Sequence, residues 1–216
     1  MTDPRPAPPA PTEEDLRISA PAALCNRDAI LAQVSRLAPG EGRALELASG
    51  SGEHVIAFAP ATPGLTWQPS DPDPAKRASI AAWIAECPAP NILPPVDLDA
   101  ASAGWSTRHG PVDLIVLVNL LHLIPDTAAD TVLREIATAL APGGVALIYG
   151  PFLRDGQATS EGDAAFHARL QVENPGGGYK DVADVVGKLV RAGLTLIETV
   201  RMPANNLLLA LERPET

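Results

Sequence analysis

The stretch VDLIVLVNLLHLI, residues 112–124, is almost continuously apolar. A strand with one face in water alternates apolar and polar residues, whereas a strand that helices cover on both faces shows no such alternation. The run is also too short to cross a bilayer, which takes about 20 residues. It therefore predicts a central strand of a parallel sheet with helices on both faces.

Segments typical of strands and helices alternate on both sides of this run. Seven candidate strands follow one another in the order GRALELAS, GLTWQPSD, NILPPVDLD, VDLIVLVNLLHLI, GGVALIYGPF, LTLIETVRM and NNLLLALER. Helical patterns lie between most of them; the first begins at Asn26 and stops at the APG of residues 38–40, and another has Asp73 as its cap and Pro74 in its first turn. This alternation predicts an α/β fold with a doubly wound, mostly parallel sheet, whose last two strands pair antiparallel across a short turn.

The length of 216 residues fits a single domain that carries a tail. Residues 1–19 are rich in proline and charge, and they predict a disordered or loosely held segment. Residues 20–216 are expected to form the domain. Within it, residues 153–178 make a long excursion after the fifth strand, with a helix that Ser160 begins and a PGGG stretch. We interpret this excursion as a lid or a substrate-side insertion.

Charge and cysteine content argue against several classes of function. The formal net charge is -10 and no run of Lys or Arg is present, which argues against binding to nucleic acid or to an anionic membrane. Cys25 and Cys87 form no CxxC motif and lie near no pair of histidines, so we expect reduced thiols and no metal site. No apolar leader is recognisable in the first residues, and we expect a cytoplasmic location.

The stretch ALELASGSGEHV, residues 44–55, places Gly-x-Gly directly after the first strand. In an open parallel sheet, ligands bind beyond the carboxyl ends of the strands, beside strand one. Gly50 and Gly52 permit a tight turn and close approach of a ligand, and the helix that follows offers unpaired N–H groups. Alone, the motif fits a nicotinamide dinucleotide, a phosphate, S-adenosylmethionine or a simple turn. Val55 stands where a dinucleotide fingerprint has Gly or Ala, and Glu46 precedes the loop.

Acidic and amide side chains follow the second, third and fourth candidate strands. Asp71 either accepts hydrogen bonds from the two hydroxyls of a ribose or helps Asp73 to cap the next helix. Asp97 and Asp99 either accept from an adenine amino group or form an Asp-rich turn. Asn119 interrupts a buried run and needs partners, so we expect it to line the pocket. The predicted cofactor contacts, drawn from these strand ends and the start of the first helix, are Asn26, Glu46, Ala48, Ser49, Gly50, Gly52, Asp71, Pro72, Asp97, Leu98, Asp99 and Asn119.

The pattern Glu46-x-x-x-Gly50-x-Gly52, the acids after strands two and three, and NLLHLI after strand four resemble a class I S-adenosylmethionine-dependent methyltransferase. The resemblance covers the chain from about residue 22 onward. It implies S-adenosylmethionine as the cofactor and a seven-stranded sheet in the order 3-2-1-4-5-7-6, with the last strand antiparallel, but it implies no acceptor.

Four longer strings resemble a narrower family of small, uncharacterised proteins related to methyltransferase-like protein 26. These strings are LELASGSGEH, LTWQPSDPDPAKRASIAAW, YGPFLRDGQATSEGDAAF and MPANNLLLAL. The chain departs from that family at NPGGGYKD, where we expect a Trp before the segment with the G-x-K/R-D pattern.

The acceptor side of such an enzyme should be formed by the ends of strands four and five and by the excursion. The predicted residues are His122, Tyr149, Phe152, Arg154 and Asn205. His122 is a candidate base or positioning group, or it simply packs on the loop after strand four. Asn205 and Asn206 either reach the same edge or form the final turn.

Three hypotheses about function remain open. The first is S-adenosylmethionine-dependent methyl transfer by in-line displacement to an unidentified small-molecule or protein acceptor. The second is a catalytically silent module that binds S-adenosylmethionine, because no catalytic base is identified. The third is a nucleotide-dependent oxidoreductase, against which Glu46 and the final strand pair argue. In the first two, Asn26 and Arg27 meet the methionyl carboxylate or merely cap the first helix.

Overall fold

The computed structural model describes residues 16–215. Its strands are β1 (Gly42–Leu47), β2 (Leu65–Pro69), β3 (Val112–Val118), β4 (Leu140–Gly150), β5 (Phe152–Leu153), β6 (Lys180–Asp181), β7 (Thr195–Arg201) and β8 (Leu207–Glu212). Its helices are α1 (Pro21–Leu37), α2 (Val55–Ala61), α3 (Pro74–Glu86), α4 (Ser106–His109), α5 (Asp126–Ala139), α6 (Glu161–Glu173) and α7 (Val182–Arg191), with a 3-10 turn at Leu121–Leu123. None of these helices combines the length and the apolar character needed to cross a membrane.

The main sheet has 6 strands in the order β2-β1-β3-β4-β8-β7. Neighbouring strands from β2 to β4 pair in parallel, whereas β8 pairs antiparallel with both β4 and β7. The predicted antiparallel insertion of the last strand is thus confirmed, and so is the order of the strands that form. The short strands β5 and β6 make a separate parallel pair that the sequence did not indicate.

The prediction of seven strands is wrong, because NILPPVDLD does not form a strand. This segment pairs with the edge at β2 through two isolated bridges, Trp67 to Ile92 and Ser70 to Val96, and the Gln68 side chain donates to the Pro94 carbonyl at 2.7 Å. Pro94 lies between these bridges and is followed by a second proline. Proline has no N–H group to donate to a sheet ladder, so the pairing is interrupted and the edge strand is lost.

Strand β3 is covered by helices on both faces, as its sequence predicted. Ile115 and Leu117 belong to a core cluster with residues of α5 and α7. Leu114 and Val116 belong to a second cluster with residues of α1, α2 and α3. The two clusters are the two helical layers of the fold, and the sheet lies between them.

Helix α1 begins at Pro21, five residues before the predicted start at Asn26. Proline suits the first turn of a helix, because an N–H at that position has no partner inside the helix. The predicted cap of α3 is confirmed, since the Asp73 side chain accepts a hydrogen bond from the N–H of Ala75 at 2.8 Å. Ser160 caps α6 in the same way, through the N–H of Asp163 at 3.2 Å.

Most of the predicted N-terminal tail, residues 1–15, lies outside the described residues, and for them the prediction stays a prediction. The residues that follow are attached to α3. The N–H of Ile18 donates to the Ser79 hydroxyl at 2.8 Å, and the Trp83 indole N–H donates to the carbonyl of Ile18 at 3.1 Å. These bonds hold the segment before α1 against the body of the protein.

Candidate functional site

A cleft of about 380 Å³ lies at the carboxyl ends of β1 and β3. This is the edge of an open parallel sheet at which ligands bind. The residues that line it come from the loops after β1, β2 and β3 and from the beginnings of α1 and α3: Ala20, Ala22, Ala23, Glu46, Leu47, Ala48, Ser49, Gly50, Ser51, His54, Asp71, Lys76, Val118, Asn119, Leu120 and Leu123.

A larger depression, of about 520 Å³, lies at the opposite edge of the sheet. It is lined by residues near the ends of α5, α7 and β8, among them Arg134, Gly193 and Arg213. It contains no carboxylate and no strand-to-helix glycine loop. We therefore place the candidate site in the smaller cleft.

Two residues at the cleft hold a backbone conformation that non-glycine residues rarely adopt. Ala48 has a φ of 50° and Asn119 a φ of 56°, each directly after the end of a strand. Such conformations carry strain of about 1–3 kcal/mol and occur preferentially at functional sites. Both residues line the cleft, which supports its assignment as the candidate binding site.

The two glycines of the loop have different roles. A Cβ on Gly50 would have only the Ala48 carbonyl nearby, at 4.0 Å, so this glycine leaves open space beside the cleft. A Cβ on Gly52 would lie 3.0 Å from the Cα of Ile80 in α3. The close approach at Gly52 is therefore to a helix, and Gly52 does not line the cleft.

Asp71 joins the glycine loop to the end of β2. Its two carboxylate oxygens accept hydrogen bonds from the N–H groups of Gly50 and Asp73, each at 3.0 Å. A carboxylate has about four lone-pair sites, so two acceptor positions remain for a ligand. The predicted role as a ribose acceptor and the alternative role in the turn are thus compatible.

Glu46 is almost completely buried, with 1% of its surface exposed, although it lines the cleft. Its Oε2 atom has no hydrogen-bond partner among the described residues. Burial raises the pKa of this carboxyl to about 8; the charge of Asp71 adds to the rise and a hydrogen bond from Ser49 opposes it. A buried polar atom without a partner is costly, and its position on the lining makes this oxygen accessible to a hydrogen-bond donor in the cleft.

A buried polar network supports the wall of the cleft behind His54. The Nε2 of His54 donates to the Oδ1 of Asn26 at 2.8 Å. Burial raises the pKa of the nearby Tyr149 hydroxyl, and the side chains of Asn26 and Asn206 oppose this rise. Burial also lowers the pKa of His54 to about 4, so its ring is neutral at pH 7. Asn26 thus lies behind a cleft residue and does not itself line the cleft.

Four of the predicted cofactor contacts lie in the loops after β2 and α3 and do not line the cleft: Pro72, Asp97, Leu98 and Asp99. Asp97 is exposed and forms an ion pair with Arg77 at 3.3 Å. Asp99 accepts from the N–H of Ala101 at 2.9 Å and from the Ser102 hydroxyl at 2.8 Å. The Asp-rich turn, considered as an alternative for these acids, is the structure that forms.

Several cleft residues were absent from the sequence-based set. Ala20, Ala22 and Ala23 were missed because the predicted start of α1 was too late. Lys76 lies in the first turn of α3, immediately after the Asp71 loop, and that position was the available signal. His54 follows the glycine loop directly, at the position that caps α2.

On the acceptor side, His122 is 7% exposed and does not line the cleft. Its ring packs against Phe166 and Tyr179, with centroids 6.2 and 6.1 Å away. Burial, and secondarily the charge of Lys180, lowers the pKa of His122 to about 4. A Cβ on Gly150 would lie 3.9 Å from the His122 Nδ1 and 3.8 Å from the Asn119 Oδ1. A side chain on Gly150 would therefore be in van der Waals contact with both groups.

The predicted lid, residues 153–178, is hydrogen-bonded at both ends to loops of the sheet edge. At its beginning, Arg154 donates to the carbonyl of Asn205 at 3.0 Å. At its end, the N–H of Gly178 donates to the carbonyl of His122 at 2.9 Å. Phe152, just before the excursion, is buried in the core. The movement of this segment as a lid stays a prediction.

A family model described as "Protein of unknown function (DUF938)" matches residues 17–213 of the chain. This description names no activity, so the narrower resemblance to methyltransferase-like protein 26 stays a prediction.

Solved structures share the fold. An O-methyltransferase family protein from Burkholderia thailandensis superposes with a TM-score of 0.75 at 22% identity, over 87% of this chain and 56% of its own. The mitomycin 7-O-methyltransferase MmcR superposes with a TM-score of 0.71 at 19% identity, over 86% of this chain and 53% of its own. CalO1 is a methyltransferase in calicheamicin biosynthesis that was solved with SAH bound. It superposes with a TM-score of 0.65 at 17% identity, over 85% of this chain and 54% of its own. The chain thus has the class I methyltransferase fold and spans little more than half the length of these neighbours.

Proposed function

This chain belongs to the DUF938 family of proteins of unknown function, and we propose that it is an S-adenosylmethionine-dependent methyltransferase. The observation that carries the proposal is the unpartnered Oε2 of Glu46 in a cleft at the ligand-binding edge of a methyltransferase fold. An ammonium group is a strong donor for such a carboxylate, and S-adenosylmethionine has one on its amino-acid portion.

The charges of the cleft favour this cofactor over a dinucleotide. Two carboxylates, Glu46 and Asp71, line the cleft, with Lys76 as the counter-charge. The Asp71 carboxylate attracts the ammonium and sulfonium of S-adenosylmethionine and repels a pyrophosphate. Glu46, whose pKa is raised to about 8, becomes charged when the ammonium displaces its proton. We propose that Asp71 accepts hydrogen bonds from the ribose hydroxyls and that Glu46 binds the ammonium group. The ligand then lies close to the backbone at Gly50.

When bound, S-adenosylmethionine supplies a methyl group on a sulfonium sulfur, which a nucleophile displaces in line. The protein's task is to hold an acceptor in line with that methyl. We place the acceptor next to Asn119, which lines the cleft directly after β3. His122 is neutral at pH 7 because its pKa is lowered to about 4, so a ring nitrogen is free to accept a proton or to orient a hydroxyl.

One observation favours a second candidate function, a catalytically silent binding module. His122, the predicted base, does not line the cleft and is packed behind Phe166 and Tyr179. An oxidoreductase is disfavoured, since Val55 occupies the position at which a dinucleotide fingerprint has a small residue.

Thermal unfolding with added ligand tests the proposal. S-adenosylhomocysteine, the product form of the cofactor, should stabilise the protein by about 2.7 kcal/mol at 100 times its dissociation constant. NADH at the same concentration should leave the melting temperature unchanged. A shift with NADH and none with S-adenosylhomocysteine would overturn the proposal. Incorporation of a labelled methyl group in an acceptor screen then separates an enzyme from a silent module.

A further inference from the structure

The N-terminus of α1 opens into the cofactor cleft. Ala20, the N-cap residue, lines the cleft together with Ala22 and Ala23 of the first turn. The Ala20 side chain cannot cap this end, and the first turn contains no acidic residue. Among the described residues, Glu53 accepts from the N–H of Ala20, and the N–H groups of Ala22 and Ala23 stay open. The N–H groups of the first turn of a helix have no acceptor within the helix. The 17 residues of α1 also place the positive end of a helix dipole at the cleft.

A second feature of the same cleft indicates what this helix end binds. Glu46 lines the cleft with a carboxyl oxygen that has no partner among residues 16–215, and its side chain is more than nine-tenths buried. A cleft that offers both an unpaired carboxyl and open N–H donors complements a zwitterion. An α-amino acid group carries that pair of charges on adjacent atoms.

Glu53 fixes the position of the helix end without lining the cleft itself. It is 2% exposed. It accepts from the Ser19 hydroxyl at 3.0 Å, from the N–H of Ala20 at 3.1 and 3.2 Å, and from the Ser51 hydroxyl at 2.6 Å. Because Ser51 belongs to the glycine loop, one carboxylate joins that loop to the residues just before α1.

We propose that Glu53 is a positioning residue that holds the N-terminus of α1 at the cleft, where the N–H groups of Ala22 and Ala23 bind the carboxylate of the cofactor's amino-acid portion. Glu46 binds the ammonium of the same portion. This inference rests on the proposed function, because it assigns one part of the proposed cofactor to one part of the cleft. It also replaces the predicted contact of Asn26 and Arg27 with the methionyl carboxylate.

The assignment is tested by calorimetric titration with three probes. S-adenosylhomocysteine carries the whole zwitterion, decarboxylated S-adenosylmethionine lacks the carboxylate, and 5′-methylthioadenosine lacks the amino-acid portion. For the wild-type protein we expect S-adenosylhomocysteine to bind at least about tenfold more tightly than either of the others, since each lost charge-assisted contact weakens binding.

Variants of the anchor then separate positioning from general structure. Glu53→Gln should weaken binding of S-adenosylhomocysteine by about tenfold and leave binding of 5′-methylthioadenosine within about twofold. Ser19→Ala is the milder change, because it removes only the hydroxyl that donates to Glu53. It should also weaken the binding of S-adenosylhomocysteine, and it replaces Glu53→Gln in the test if that variant does not fold. Glu86→Gln is the matched control, because it removes the 2.6 Å ion pair with Arg17 on the same segment but no contact with the helix end.

The outcomes are distinguishable. If the wild-type protein does not bind S-adenosylhomocysteine, the proposed function fails and this inference fails with it. If it binds, but Ser19→Ala and Glu53→Gln weaken S-adenosylhomocysteine and 5′-methylthioadenosine equally, or weaken neither, only the positioning role is overturned. A loss of affinity for S-adenosylhomocysteine, with unchanged affinity for 5′-methylthioadenosine, supports the positioning role of Glu53.

Discussion

The two sides of the candidate site are built in different ways. The cofactor side is built around one strand-to-helix loop, residues 46–54, and around Asp71. The start of α1, Lys76 and the loop after β3 complete its lining. The acceptor side comprises His122 and residues 150–181, which meet through contacts between distant segments. An example is the hydrogen bond from the N–H of Gly178 to the carbonyl of His122 at 2.9 Å.

The difference shows which features of a site a sequence can reveal. On the cofactor side, function depends on where a strand ends and on a few acids at fixed distances from it, and local patterns record both. On the acceptor side, function depends on which side chains a long excursion brings together. The ring packing of His122, Phe166 and Tyr179 joins three separate segments, and no local pattern encodes it.

The largest expected effect is on the cofactor side, at Asp71. We expect Asp71→Ala to weaken binding of S-adenosylhomocysteine by about a hundredfold, roughly 2.8 kcal/mol, because it removes the ribose acceptor and the bond to the N–H of Gly50. Titration calorimetry measures the change. Asp73→Ala is the control, since Asp73 caps α3 and does not line the cleft. Unchanged affinity in Asp71→Ala would contradict the ribose assignment.

A second effect separates the two glycines of the loop. Gly52→Ala should lower the free energy of unfolding by about 2 kcal/mol, because the new Cβ meets the Cα of Ile80 at 3.0 Å and φ is +99°. Urea unfolding measures it. Gly40→Ala is the matched control, since a Cβ there has nothing within 4 Å. Equal stability of the two variants would show that Gly52 is not required for packing against α3.

A third effect concerns pH on the cofactor side. Because the pKa of Glu46 is raised to about 8, its carboxyl is protonated at lower pH, and the ligand's ammonium group must displace that proton. The affinity for S-adenosylhomocysteine should therefore rise by up to about tenfold per pH unit from pH 6 towards 8 and then level off. Glu46→Gln should bind more weakly and lose this slope. A wild-type affinity independent of pH over this range would contradict the pairing of Glu46 with the ammonium.

The success of the sequence-based predictions also depends on whether a feature is set by local patterns or by contacts between distant segments. The double burial of β3, the position of Asp71 after β2 and the Asp73 cap could be predicted from the residues, because each depends on local periodicity or on a short-range hydrogen bond. The order of the strands came from the resemblance to a known family. The absence of an edge strand at NILPPVDLD could also have been predicted, since the prolines that prevent it are in the sequence. The early start of α1 also had a local signal in Pro21. The attachment of residues 18–20 had none, because it depends on Glu53, Ser79 and Trp83, which are distant in the chain.

The smallest expected effect tests whether the acceptor side is electrostatically separate from the cofactor side. Lys180 forms a 2.6 Å ion pair with Asp126, and its charge is the second cause, after burial, of the low pKa of His122. Lys180→Met should raise the pKa of His122 by roughly half a unit, because burial, the larger cause, remains. The imidazole titration followed by NMR measures this shift.

Lys188→Met is the control, because it removes a comparable ion pair between α7 and α5, with Asp130 at 2.5 Å, and Lys188 is not a cause of the His122 shift. An unmoved His122 pKa in Lys180→Met would show that burial alone sets it. Neither variant should change the affinity for S-adenosylhomocysteine, because neither lysine lines the cleft. A change in that affinity with Lys180→Met alone would mean that the loop after β3, which carries both Asn119 and His122, transmits the acceptor side's packing to the cofactor side.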